Sequence, residues 1–185
     1  PDTCRRDRAY AQAALAQSSA KDFTQARQVA DRIDNLEQRA AVVQFTYYDE
    51  VATLVQSGDL VRALDWVEKV AAKEQRAVLY VRIANAALKK ADKSMALDAL
   101  NRARSLVADS DDADLKAGVL LSVGALYARF DASEATYVTR ESIKAINRMK
   151  ERVDETFSVL RQVSLSCVGE IRWHGSREGV EGFSF

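Results

Sequence analysis

The sequence predicts an all-α fold, an α-solenoid of four helix–turn–helix repeats with a short C-terminal β/irregular tail. Three observations carry that prediction. Helix breakers are nearly absent from the body: the one proline is Pro1, and four of the seven glycines (Gly169, Gly175, Gly179 and Gly182) lie in the last 17 residues. An Asp-x-x-x-Ala pattern recurs as Asp22/Ala26, Asp59/Ala63, Asp92/Ala96 and Asp131/Ala135, at offsets of 37, 33 and 39 residues. The same uneven offsets align Tyr10, Tyr47, Tyr80 and Val119, and also Ala14, Val51, Ala84 and Val123.

Helices are expected at about 5–18, 22–33, 37–56, 60–71, 75–91, 94–107, 112–130 and 133–150, with no strand before Glu151. In each repeat the aspartate ends a turn and caps the second helix, where free N–H groups and the positive end of the helix dipole favour a carboxylate. Gly58 precedes Asp59, the place where a glycine closes a first helix. The alanine four residues on leaves room for two helices to approach, and the first-helix aromatic supplies bulk between repeats. Leu60, Ala63, Leu64, Val67, Val70 and Ala71 form one apolar stripe at helical spacing, as do Phe23, Ala26, Ala30 and Ile33. The first helices Ala40–Val55 and Ala117–Phe130 are apolar nearly all round, as helices flanked on both sides should be. Trp66 falls in a column with Val29, Ala99 and Val138, which assigns it to packing between repeats.

The tetrapeptide Glu37-Gln38-Arg39-Ala40 returns as Glu74-Gln75-Arg76-Ala77. With the Tyr–Ala/Val first helix, the Gly58-Asp59 turn and the Asp-x-x-x-Ala second helix, residues 5–148 resemble tetratricopeptide-like repeats. The sequence departs from that pattern in its variable repeat length, in the absence of a closing proline, and in Val119 replacing the aromatic. The resemblance implies a scaffold that binds a partner protein or peptide, usually without catalysis.

The domain division is a solenoid over 1–150 and a tail over 151–185. In the tail, Val163, Leu165 and Cys167 alternate with Gln162, Ser164 and Ser166, a strand pattern. That strand would pair across a turn near Gly169 with Ile171–Trp173, or be donated to another chain. Lys+Arg and Asp+Glu both number 27, so the net charge is zero and no basic run points to nucleic acid. The apolar stretch Ala117–Phe130 is too short for a membrane span. The chain begins with Pro1, which fits a mature product after cleavage as well as a trimmed chain; an exported location is favoured over the cytoplasm.

No cofactor or catalytic set is expected. His174 is the only histidine, and it stands in the tail beside Trp173. Asp109, Asp111, Asp112 and Asp114 lack the glycine and terminal glutamate of a calcium loop, and read as turn and capping residues. Arg82, Asn85 and Lys89 share one face of a first helix and are the candidate partner-binding residues; the resemblance implies that such a face meets the partner. For a carboxylate clamp the flanking helices would have to contribute, and they offer Tyr48, Ala52, Leu120 and Gly124 instead. Cys4, placed before the first helix, and Cys167, beyond the last, mark opposite ends of the array and are the candidate disulfide pair. Eight helices make a stack about 60–70 Å long, while the segment from Lys150 to Cys167 reaches at most ~60 Å. A bond between copies is therefore the easier geometry in an oxidising compartment, with two unbonded thiols as the alternative. The leading expectation is a non-enzymatic scaffold for protein–protein interaction. The alternatives are a self-assembling subunit of a head-to-tail, extracellular polymer and, with no site behind it, an enzyme.

Overall fold

The computed structural model describes residues 2–152, with side chains from 3 to 148, and these fall in one compact unit. The expected strand, His174 and Cys167 lie outside the described residues. Among the described residues there are eight helices: α1 (Asp2–Ser19), α2 (Phe23–Ala30), α3 (Leu36–Ser57), α4 (Leu60–Val67), α5 (Lys73–Lys89), α6 (Lys93–Ala108), α7 (Ala113–Tyr127) and α8 (Ala132–Arg152). No strand occurs among them. Consecutive helices pack as four pairs, and the first helices α1, α3, α5 and α7 also pack on one another in that order.

The repeat columns explain this packing. Ala14, Val51, Ala84 and Val123 are all fully buried, and so are Ala26, Ala63 and Ala96, with Ala135 nearly so. Small residues at these places let backbones approach closely, so that dispersion contacts are made along the whole crossing. A further column, Ile33, Val70, Ala103 and Ser142, is also buried in every repeat. Its fourth member is polar, and the Ser142 hydroxyl donates to the Ala117 carbonyl at 3.0 Å, which removes the cost of burying it.

The turn inside each repeat is built twice over. Lys21, Gly58 and Ala91 occupy the same register position and all have positive φ, at 66°, 82° and 61°. The N–H of the following aspartate then donates back to the first helix: Asp22 to Gln17 O, Asp59 to Leu54 O, Asp92 to Ala87 O, each between 2.9 and 3.0 Å. This is the Schellman closure of a helix C-terminus. The carboxylates of the same aspartates accept from Gln25 N (3.0 Å), Arg62 N (3.3 Å) and Met95 N (2.9 Å) and so open the second helix. Asp131 caps α8 in the same way, accepting from Glu134 N at 3.0 Å, but Phe130 lacks the positive φ. The fourth turn keeps the cap and not the Schellman closure.

Turns between repeats use a second device. The Asp7 carboxylate on α1 accepts from Asp34 N and Asn35 N, and at the equivalent place on α3 the Gln44 Oε1 accepts from Ala71 N at 2.6 Å. The Asn35 N–H is the largest influence holding the Asp7 carboxyl below the ordinary carboxylate range; burial opposes it, and Asp34 N–H and Arg6 assist. Arg6 also pairs with Asp34.

Several boundaries differ from the sequence expectation, among them the end of α7 at Tyr127 rather than at 130. The second helices α2 and α4 stop at Ala30 and Val67, about one turn early. The chain tightens there into three-residue turns, Ile33 N to Ala30 O and Val70 N to Val67 O, which swing Ile33 and Val70 inward. Ala71 is exposed and therefore leaves the expected stripe. At the other end α1 begins at Asp2, so Cys4 lies inside the first helix rather than before it, half-buried.

Ala91 holds a conformation that costs an L-residue with a Cβ roughly 1–2 kcal/mol, so Ala91→Gly should stabilise the fold by about 0.5–1 kcal/mol after the entropy of the unfolded glycine is counted. Gly58→Ala should cost about 1 kcal/mol, because its φ is +82° and the new Cβ would stand 2.8 Å from Lys90 Nζ. Urea unfolding of the two variants checks both signs.

Candidate functional site

Side chains link the first helices across one face. From α1, the Ser18 hydroxyl donates to the Asp49 carboxylate on α3 at 2.7 Å, and Lys21 approaches the same group at 3.4 Å. On α5, the Arg82 guanidinium lies over the Tyr48 ring of α3, 5.8 Å from its centroid. Arg129, just past α7, donates to Asn85 Oδ1 at 3.3 Å. Lys93, the first residue of α6, lies over the Phe130 ring at 5.1 Å. Arg82 and Lys89 are exposed and Asn85 is half-buried.

The expected trio lies along α5, Tyr48 and Arg129 meet it from neighbouring elements, and Lys93 and Phe130 pair with each other next to Arg129. Of the flanking residues, Tyr48 belongs to the face, but Leu120 and Gly124 do not. Leu120 is buried, and Gly124 is covered by α8, where an added Cβ would meet Thr139 Oγ1 at 2.9 Å. The α7 residue in register with Arg82 is Leu121, which is exposed. One signal for Arg129 was present in the sequence, since it falls in the same repeat column as Lys90, directly before the turn residue.

Trp66 is half-buried and packs against the main core, in keeping with a place between repeats. It joins a cluster in which the Arg27 guanidinium lies 4.9 Å from the Tyr47 ring centroid and 5.2 Å from that of Trp66. Arg27 pairs with the largely buried Glu50 at 2.6 Å, so the cation is both stacked and neutralised. Its counterpart one repeat on is a network around buried Tyr80. The Tyr80 hydroxyl donates to Glu68, Arg102 donates to the Tyr80 oxygen at 3.4 Å, and Arg76 pairs with Glu68 at 2.9 Å. These groups tie the end of α4 to α5 and α6.

The acidic cluster behaves as expected of a turn. Asp112 caps α7 through Leu115 N at 3.0 Å, and Asp109 is the residue at which α6 ends. Beside it runs a polar cleft of about 410 Å³ lined by Lys73, Glu74, Ser105 and the aspartates 109, 111 and 112. Among the described residues no group of three or more His, Cys, Asp or Glu side chains could hold a metal ion, and no helix is long and apolar enough to cross a membrane.

No protein-family model, curated protein or solved structure matches the chain.

Burial is the main reason that the Tyr80 hydroxyl titrates above the usual tyrosine range, with the hydrogen bond to Glu68 next. Burial likewise raises Tyr127, with Glu134 adding to it. A phenol whose proton is held more tightly when folded stabilises the fold below the unfolded value near pH 10, and that stability is lost as pH rises through the folded value. Stability should therefore fall above about pH 10, and Tyr80→Phe should flatten that fall. Urea midpoints measured across the alkaline range for both proteins read the slope.

Proposed function

We propose that the chain is a non-enzymatic helical-repeat scaffold, tetratricopeptide-like in plan, that binds a partner protein or peptide on the face formed by α3, α5 and the end of α7. The observation that supports it most is the arrangement of Tyr48, Arg82, Asn85, Lys89 and Arg129, in which an aromatic from α3 and a donor from the turn after α7 meet the polar residues of α5. Aromatic and arginine side chains are the residue types that carry most binding energy in protein interfaces.

A second reading has its own support. The outer first helices expose apolar residues, Ala9, Ala13 and Ala16 on α1, and Gly118, Leu121 and Ala125 on α7. The inner first helices α3 and α5 have neighbours on both sides. Copies stacked head-to-tail would give α1 and α7 the same surroundings, and a contact of that kind does not close on itself.

One experiment separates the two. A photoreactive phenylalanine analogue is placed at Tyr48, at Leu121 or at exposed Val61, and the chain is irradiated in its native cells. The scaffold reading expects an adduct with another protein from position 48 and none from 61. Adducts only between copies of the chain, from position 121, favour assembly. Equal labelling from all three positions contradicts both.

A further inference from the structure

We propose that the end of this face where α5, α6 and α7 meet docks an acidic peptide segment, held by Arg82, Lys89, Lys93 and Arg129. The inference rests on the partner-binding reading above and adds the charge class of the partner. None of these four cations makes an ion pair among the described residues, whereas Lys21, Arg27, Arg76, Arg102 and Arg104 all do. Three of the four are nevertheless held in place, while Lys89 is exposed beside them on α5. Arg82 is stacked on Tyr48, Lys93 on Phe130, and Arg129 is bonded to the neutral Asn85 amide. Contacts of these kinds fix a cation without cancelling its charge, and a stacked guanidinium keeps its N–H edge directed outward.

The carboxylates in the neighbouring turns are already engaged. Asp59, Asp92 and Asp131 each accept from the N–H groups that open α4, α6 and α8. Lys90 adds charge beside the patch while its ammonium donates to the Gly58 carbonyl at 2.6 Å. The C-terminal carbonyls of α5 and α7 offset about half a charge each, which is less than the cations supply. The N–H hydrogen bonds orient the three carboxylates without discharging them, so five cations (Arg82, Lys89, Lys90, Lys93 and Arg129) stand against three carboxylates, and the region keeps a positive excess on a chain of zero net charge.

Spacing favours a peptide. Packed helices stand about 8–10 Å apart, and an extended chain advances about 3.3 Å per residue. Carboxylates two or three residues apart on an extended segment therefore match cations on α5 and α7. Each such contact would be a charge-assisted hydrogen bond, bidentate at the arginines. Nucleic acid would need a longer run of phosphate contacts than four cations at one end of a face provide.

The test is fluorescence anisotropy with a labelled hexaglutamate peptide at low ionic strength. Saturable binding is expected, weakened at least ~10-fold by the double charge reversal Lys89→Glu with Arg129→Glu and left unchanged by Lys69→Glu, an exposed cation between α4 and α5. Unfolding midpoints confirm that the variants fold; if the reversal does not, Lys89→Gln with Arg129→Gln should show the same loss in weaker form. No saturable binding up to about 1 mM overturns the proposal. So does equal weakening by Lys69→Glu, or tighter binding of a single-stranded oligonucleotide of the same charge. If hexaglutamate fails while position 48 still crosslinks specifically to another protein, the acidic class falls and the scaffold reading stands.

Discussion

The rest of the structure depends on one residue per repeat, the aspartate at the turn. Its N–H closes the first helix and its carboxylate opens the second, at Asp22, Asp59 and Asp92 alike. Two helix ends that would otherwise leave polar groups without partners are thereby satisfied by a single side chain and its own backbone. With both bonds made, the directions in which the chain leaves one helix and enters the next are narrowly restricted. That sets the crossing at which Ala26, Ala63 and Ala96 lie fully buried. The small side chain and the fixed turn are thus one constraint seen from two sides.

A second constraint joins repeats to one another. Asp7 and Gln44 each reach from a first helix to backbone N–H groups in the turn that leads to the next repeat. Alanine stands at the equivalent place on α5, and there the stacking is carried by buried Leu79, Tyr80, Ile83 and their neighbours instead. Stability in such an array is mostly a matter of nearest neighbours. The face that carries Arg82 exists because α3, α5 and α7 are held side by side by these local contacts.

Much of the fold was legible in sequence, because repeated columns carry repeated physical roles. The aspartates, the alanines and the Ala14–Val51–Ala84–Val123 set were all readable. The two apolar columns are buried in every repeat, and the aspartate caps the second helix in all four, though the closure of the first helix is missing at Asp131. What periodicity could not show is where a helix tightens. Val70 stays buried after α4 has ended, so an apolar stripe continues past the last helical residue. Nor does a lysine or an alanine announce positive φ, as Lys21 and Ala91 adopt it in a place that glycine holds only once. At the candidate site, Arg82, Asn85 and Lys89 shared a readable helix spacing. Tyr48 was legible as a flanking residue, but its contact with Arg82, and the place of Arg129 beside Asn85, needed the packing of neighbouring repeats to be found.

The aspartate turn bears most directly on amides that lie outside the first helices. Residue-resolved hydrogen exchange should show the N–H groups of Asp22, Asp59 and Asp92 protected about as strongly as amides inside α3 and α5, with Asp59→Ala lowering protection at Arg62 while Met95 keeps its own. Exchange of the three aspartate amides at the rate of an unstructured peptide would contradict it.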